Sequence, residues 1–169
     1  TGALIEVLLL TRKGGHDPCQ PMWEVLLRPG KRVRPGTCLF FNEYGQGRIL
    51  DRLSEKKWLI EFKTDLPFET FLERYGTVPL PPYISRKDNL SRHEQDRQRY
   101  QTVYARCPGS VAAPTAGLHF TPDILNQLEA LGVTIARVTL HVGYGTFLPV
   151  EAENVEEHAI EEEYFEIPP

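Results

Sequence analysis

The sequence predicts a mixed fold in which a small antiparallel β-barrel is joined to part of a larger α/β domain. Five short β-rich segments fill the first 64 residues, and helical and strand patterns alternate over residues 65–169. Of the 169 residues, 41% are hydrophobic and 25% are charged, which is typical of a folded globular protein and excludes wholesale disorder. We therefore expect two domains, residues 1–64 and residues 65–169.

The predicted strands of the first domain are short and are separated by turn residues. They are Leu4–Leu10, Trp23–Leu27, Thr37–Phe41, Arg48–Leu53 and Trp58–Phe62. Gly45–Gly47 and Ser54–Lys57 are typical of the turns before the last two of these strands. Such spacing suits an antiparallel barrel or meander, and closure of a barrel would protect the strand edges.

The second domain begins with helix signals. Asp65 is a candidate cap, Pro67 suits a first turn, and Gly76 suits a helix end. The proline-rich residues 78–83 must be extended and form the boundary between the two parts. The pattern at Arg99–Ala105 predicts a further helix.

The remaining pattern predicts a β-α-β unit. Ser110–Ala113 is the first strand and Val133–Val142 the second. Between them, Thr121 caps a helix that ends at Gly132 and carries an apolar face. We expect this unit to be parallel and right-handed.

Charge is unevenly distributed. The net charge is −4, yet residues 151–169 contain eight glutamates and no lysine or arginine. Four basic residues lie within residues 28–34, namely Arg28, Lys31, Arg32 and Arg34. This cluster is either a binding site for a polyanion or a solvated positive face.

The cysteines and the apolar segments indicate the compartment. Three cysteines lack C-x-x-C spacing, so we expect reduced thiols in a cytoplasmic protein. The longest apolar run, residues 3–10, is far shorter than a membrane span. No metal-binding motif and no nucleophile elbow is found, which argues against a metal and against a serine hydrolase.

Two segments at predicted strand ends combine a histidine with a threonine and small residues. They are Pro114–Thr121 and His141–Phe147. In α/β sheets ligands bind beyond the carboxyl ends of the strands, and histidine transfers protons near neutral pH. A lone histidine is more often structural, but two similar segments in one unit leave a catalytic and a structural role both open.

Three ordered motifs resemble the S-adenosylmethionine:tRNA ribosyltransferase-isomerases of queuosine biosynthesis. They are Arg99–Ala105, Val111–Thr121 and Thr139–Val150, supported by Pro79–Ile84 and the Lys31–Arg32 region. The resemblance extends from Ile5 to Ile167. It implies a β-barrel paired with an α/β domain, of which this chain carries a portion because family members are longer.

The resemblance also implies a reaction. The ribosyl group of S-adenosylmethionine, the co-substrate, moves to 7-aminomethyl-7-deazaguanine at the tRNA wobble position and rearranges to epoxyqueuosine, while adenine and methionine leave. We expect tRNA and S-adenosylmethionine as partners, no metal, no membrane and a monomer. The alternatives are a non-catalytic RNA-binding module and an inactive shortened family member; an unrelated small-molecule enzyme requires an accidental motif match.

The resemblance assigns roles to individual residues. The catalytic set would be His119, His141 and Thr115, with the two histidines transferring protons. The substrate-binding set would be Gly117, Thr139, Gly143, Gly145, Thr146, Tyr100 and Arg99. The tRNA phosphates would be held by Lys31, Arg32 and Arg34. Glu161 stands where the family often has a second histidine, so that histidine's role does not transfer to it.

Overall fold

The computed structural model describes residues 2–81, 84, 93–148, 152–158 and 161–168. The chain forms two compact units, Thr1–Thr77 and Val78–Pro169. The division lies at the start of the proline-rich segment, whose residues 82 and 83 are outside the described residues. No helix within the described ranges is long and apolar enough to cross a membrane.

Five antiparallel strands form the sheet of the first unit. They are β1 (Glu6–Gly14), β2 (Met22–Arg28), β3 (Cys38–Phe41), β4 (Gly45–Arg52) and β5 (Lys57–Thr64). Their order is β1-β2-β5-β4-β3, so each predicted strand is confirmed, with shifted ends.

The expected closure of this sheet into a barrel is not seen among the described strands. Strands β1 and β3 lie at the two edges, and neither is paired with the other. Strand β3 has only four residues, and the pairing of β1 with β2 contains two register shifts. The two edge strands therefore have few regularly placed backbone groups for pairing with each other. The first unit is therefore an open antiparallel sheet.

Strand alternation gives the sheet one apolar face. Val25 and Ile60 are fully buried there, and Phe62 is 2% exposed. Helix α1 (Phe68–Tyr75) covers this face, with the Phe68 ring 4.6 Å from that of Phe62. Buried aromatic pairs of this kind contribute roughly 0.5–1.5 kcal/mol beyond their buried area.

Two sequence-based details of this unit were wrong. The cap of α1 is Pro67, without a side-chain hydrogen bond, rather than Asp65. Gly45–Gly47 belongs to β4, and the turn lies at residues 42–44, where Asn42 takes the left-handed conformation. A Cβ on Gly47 would overlap the Ile60 side chain, so this glycine makes room for the core instead of forming a turn.

The second unit contains short elements. They are α2 (His93–Arg99), a 3-10 helix at Thr115–His119, α3 (Pro122–Ala130), β6 (Thr139–His141), a 3-10 helix at Tyr144–Phe147, a 3-10 helix at Val155–Glu157 and β7 (Tyr164–Glu166). The predicted helix at Arg99–Ala105 is wrong, since α2 ends where that helix was to begin. The Gln101 side chain accepts a hydrogen bond from the backbone of Thr102 at 2.9 Å and so favours a turn.

The predicted parallel β-α-β unit is also wrong. Residues 110–113 are not a strand, and β6 pairs antiparallel with β7, placing Thr139 opposite Glu166. The Ser110 hydroxyl links this segment to the end of β6, because it donates to the carbonyl of Leu140 at 3.3 Å and accepts from the N–H of Val142 at 3.2 Å. One backbone bond adds to this link, from the N–H of Val111 to the carbonyl of Val142 at 2.8 Å.

The predicted helix between these segments is confirmed. Thr121 caps α3 by accepting from the N–H of Ile124 at 3.2 Å, Pro122 is the first helical residue, and Gly132 follows the helix end at φ 82°. Its apolar face is only partly covered by the described residues, since Leu125 and Leu128 are half-buried whereas Ile124 is 40% exposed and Leu131, just after the helix, is 80% exposed.

Candidate functional site

His141 is half-buried at the end of β6, and its ring lies close to two residues from other parts of the chain. The ring centroid lies 5.7 Å from that of Tyr164 on β7. Gly109, at φ 141°, also lies against this ring, because a Cβ there would overlap the imidazole Nδ1. The hydrogen bonds of Ser110 to Leu140 and Val142 fix the backbone on either side of His141.

The turn that follows His141 packs along the acidic segment at residues 161–163. The N–H of Gly143 donates to Oε1 of Glu163 at 2.7 Å. The Cβ position of Gly145 is 3.6 Å from Cβ of Glu161. Both predicted glycines therefore lie beside acidic side chains, and a cationic ligand would be favoured there.

The turn that carries His119 is built differently. His119 is exposed at the end of its 3-10 helix, next to the cap of α3, and Thr115 is exposed at the start. Gly117 is buried between them, where a Cβ would overlap the Tyr104 hydroxyl and lie 2.8 Å from Cγ2 of Thr102. The small residue at this position lets protein side chains approach.

Both histidine-bearing turns contact one stretch of chain, residues 102–111. Thr102 and Tyr104 contact the turn of His119 through Gly117, whereas Gly109 and Ser110 contact the strand end of His141. Within the described ranges, no hydrogen bond or ring contact joins the two histidines to each other.

The other predicted substrate-binding residues differ in exposure. Thr146 and Arg99 are exposed, Thr139 is half-buried in β6, and Tyr100 is 8% exposed with its N–H bonded to the carbonyl of Asp96 at 2.8 Å. No group of His, Cys, Asp or Glu side chains among the described residues could hold a metal ion.

In the first unit, the basic loop at residues 28–34 is held by one of its own side chains. The guanidinium of Arg34 donates to the carbonyl of Val33 at 2.7 Å and to that of Lys31 at 3.2 Å. Val33 is 2% exposed and anchors the loop in the core, while Lys31 and Arg32 extend into solvent.

Sequence reasoning missed Gly109, Ser110, Tyr164 and Glu163. Each acts on the His141 turn from a distant point in the chain: Glu163 follows Gly143 by 20 residues, and Ser110 precedes Val142 by 32. The sequence signals for these residues were weak. Gly109 and Ser110 belong to a Pro-Gly-Ser tripeptide that is typical of any turn, and Glu163 belongs to an acidic tail that is equally typical of a solvated segment.

A family of known proteins matches this chain over its whole length. The family model described as "Queuosine biosynthesis protein" matches residues 1–169. A Syntrophus aciditrophicus protein named S-adenosylmethionine:tRNA ribosyltransferase-isomerase is 49% identical over 100% of this chain and 51% of its own length. Proteins of the same name from Acetivibrio thermocellus and Desulfitobacterium hafniense are 48% and 46% identical, over 46% and 47% of their lengths. The chain thus spans about half the length of the curated relatives it matches.

Proposed function

The chain belongs to the queuosine biosynthesis protein family, and from this membership we propose that the protein is a tRNA-modifying transferase-isomerase. It would move the ribosyl group of S-adenosylmethionine onto 7-aminomethyl-7-deazaguanine at the tRNA wobble position, giving epoxyqueuosine and releasing adenine and methionine. The observation that carries the proposal is the match of the family model over residues 1–169.

The proposal includes the architecture. Residues 78–169 would be part of the α/β catalytic domain. Residues 1–77, in which α1 covers the five-stranded sheet, would be a separate domain that is the counterpart of the family's β-barrel. The protein would act in the cytoplasm as a monomer. A metal would have no part in the reaction.

His141 is our candidate for a proton transfer that needs a fixed ring. Its imidazole lies close to Gly109 and to Tyr164, which restrict its orientation. A general base must lie within hydrogen-bond reach of the proton it removes. The reaction needs a base for the aminomethyl group and a second transfer beside the sulfonium, whose charge acidifies the adjacent carbons. A ring held in one orientation supports such a role.

His119 is the candidate for the other transfer, including acid assistance to the departing adenine. Its exposure at the end of a 3-10 helix leaves the imidazole accessible to a substrate. Thr115, at the start of the same turn, would orient a ribose hydroxyl and complete the catalytic set. The division of acid and base roles between the two histidines stays open in this proposal.

The turn at Gly143–Phe147 would bind S-adenosylmethionine. Glu161 and Glu163 lie beside its two glycines, and their carboxylates would favour the sulfonium and ammonium charges of this ligand. Thr139, Thr146 and Gly117 belong to the same proposed substrate-binding set, together with Tyr100 as a stacking residue and Arg99 as a phosphate contact.

Lys31, Arg32 and Arg34 would bind the tRNA backbone. The loop is anchored by the buried Val33 and by the guanidinium of Arg34, which supports a preformed surface. Phosphate contacts of this kind fix the position of the RNA without reading its sequence.

The test uses the longest natural polypeptide that contains this sequence. With S-adenosylmethionine and tRNA bearing 7-aminomethyl-7-deazaguanine, we expect adenine and methionine in equal amounts, measured by chromatography. Formation of S-adenosylhomocysteine would show methyl transfer and contradict the proposal. Tight tRNA binding without release of adenine would favour the non-catalytic RNA-binding module instead.

A further inference from the structure

Phe40 is a large aromatic side chain that lies in solvent at the edge of a sheet. It is 75% exposed, whereas Leu39, beside it on β3, is 9% exposed and belongs to the core. Alternation along the strand therefore places Phe40 on the outer face of β3, away from the apolar core. Because β3 is an edge strand, this ring can be approached from the face and from the edge.

The neighbours of Phe40 on this outer face are polar or charged, and they include one acidic residue, Glu61 on β5, which is directly opposite Arg48. Gln46 on β4 is directly opposite Phe40, Arg48 is opposite Cys38, and Lys63 on β5 is opposite Gln46. Directly opposite residues have Cβ atoms about 5 Å apart, and diagonal neighbours such as Phe40 and Arg48 are within reach of long side chains. The side chains of Gln46, Arg48 and Lys63 are all exposed.

The basic loop continues into the same pair of strands. The N–H of Gly36 donates to the carbonyl of Ile49 at 2.8 Å, and the N–H of Ile49 donates to the carbonyl of Thr37 at 2.9 Å. These bonds extend the β3–β4 pairing up to the end of the loop that carries Lys31 and Arg32. Residues 28–48 contain five basic residues and one acidic residue, a net charge of +4 in a chain whose net charge is −4.

We propose that the outer face of β3 and β4 is a stacking platform for an unpaired RNA base, with Phe40 as the stacking side chain. Proteins that bind single-stranded RNA combine aromatic side chains on a sheet with a basic track for the backbone. Here Gln46 would contact the edge of the stacked base, Arg48 would contact its phosphate, and Lys31 and Arg32 would bind the phosphates that follow.

The net positive charge of residues 28–48 favours RNA over a protein as the partner of this face. Protein interfaces are depleted of charged residues at their centre, whereas Phe40 has basic neighbours on its strand pair and in the adjoining loop. A polyanion with exposed base faces fits both features. The inference rests on the proposed function, because a tRNA substrate has an anticodon loop that contains such bases. It assigns the binding of that loop to residues outside the proposed catalytic set.

The experiment compares Phe40→Leu and Phe40→Trp with the unchanged protein, in the longest natural polypeptide that contains this sequence. The probes are an RNA hairpin with the anticodon stem and loop of the substrate tRNA, and a fully paired RNA duplex of equal length. Leucine keeps apolar bulk without a π-face, so we expect Phe40→Leu to weaken hairpin binding about 5- to 150-fold, the range for one stacked base, and Phe40→Trp to retain it. Duplex binding should not change. Phe165→Leu is the matched control, since Phe165 is 62% exposed and belongs to the other unit.

Other results would overturn the proposal. One is that Phe40→Leu binds the hairpin with the same affinity as the unchanged protein, and another is that it loses as much affinity for the duplex as for the hairpin. A third is a change of oligomeric state in sedimentation, which would make this face a protein interface. The melting temperature separates loss of binding from loss of folding. Hairpin binding that depends on Phe40 without release of adenine would contradict only the proposed function. Release of adenine with Phe40-independent binding would contradict only the platform.

Discussion

Gly109 lies against the imidazole ring of His141 so closely that a Cβ on Gly109 would be 2.6 Å from the ring's Cε1. The backbone of Gly109 is also at φ 141°, where side chains are rarely tolerated. This glycine therefore restricts the orientation of a histidine that follows it by 32 residues.

The first prediction concerns that contact. Gly109→Ala should displace the His141 ring, slow single-turnover release of adenine and lower the free energy of unfolding by about 1–3 kcal/mol from backbone strain. Gly132→Ala is the control, since Gly132 is at φ 82° with open space around its Cβ position, so it adds strain without a clash. Equal activity of the two variants would contradict a positioning role for Gly109.

The second prediction separates chemistry from packing at the histidines. His119→Ala and His141→Ala should each slow single-turnover adenine release by about 10²–10⁴, the usual contribution of general acid–base catalysis. Single turnover is needed because product release can otherwise hide a slowed chemical step. If a variant loses thermal stability but keeps its rate, that histidine is structural.

The third prediction concerns Glu163. Glu163→Ala removes the acceptor of the Gly143 N–H and should weaken S-adenosylmethionine binding about 10-fold, which corresponds to about 1.4 kcal/mol, the order of one net hydrogen bond. Glu163→Gln keeps an acceptor oxygen but loses the charge, so the difference between the two variants in calorimetry measures the electrostatic part. Glu162→Gln is the neighbouring control. Full affinity in Glu163→Ala would exclude this turn from the binding site.

The fourth prediction is a pH dependence of stability. Glu24 accepts from Lys13 at 2.9 Å and from Lys57 at 3.2 Å. Burial alone would raise the pKa of the Glu24 carboxyl, but the two lysine hydrogen bonds and their charges outweigh it and lower the pKa below its ordinary value. A lowered pKa stabilises the fold above the carboxyl's unfolded value of about 4.3, and this stabilisation is lost as the pH falls through the folded value.

Glu24→Gln should therefore be less stable than the unchanged protein at pH ~7, and the difference should shrink by pH ~3. Urea unfolding at both pH values measures it. Glu6→Gln, at the exposed start of β1, serves as the control. A difference that persists at the low pH would point to packing of the side chain instead of its charge.

The fifth prediction concerns the basic loop. Replacing Lys31 and Arg32 together by glutamine should reduce the slope of log affinity for tRNA against log salt by about 1.4–1.8, since each phosphate contact contributes about 0.7–0.9. S-adenosylmethionine affinity should not change. Lys56→Gln, in the turn between β4 and β5, is the control for net charge. An unchanged slope would leave the loop as a solvated face.

The sequence predicted features that depend on neighbouring residues. The strands of the first unit follow from the local alternation of apolar and polar residues between turns. Helix α3 follows from Thr121, whose hydroxyl accepts a hydrogen bond from the N–H of Ile124, three residues later. Apart from the missing helix at Arg99–Ala105, where the Gln101 side chain bonds the next backbone N–H, the main features that failed depend on distant residues. Gly45 and Gly47 resemble a turn until Phe71 and Ile60 are known to fill the space beside them.

Contacts between distant residues also explain why part of the site could not be predicted from the sequence. The histidines and glycines of the two turns could be selected from the sequence, but their neighbours could not. Ser110 joins its segment to the end of β6 through its hydroxyl, a contact that a pattern of apolar residues does not reveal. Glu163 is one of three consecutive glutamates, and the sequence does not show which of them accepts the hydrogen bond from the Gly143 N–H.

The stretch at residues 102–111 has a consequence for how this protein can vary. Its two ends contact the two histidine-bearing turns, so its number of residues fixes the separation between those contacts. A residue inserted between Tyr104 and Gly109 would break one of them, even if every side chain were retained. Homologous proteins should therefore tolerate changes of residue type in this stretch more readily than changes of length. Epitope tags and other inserted sequences belong elsewhere, for example in the exposed turn at residues 54–56.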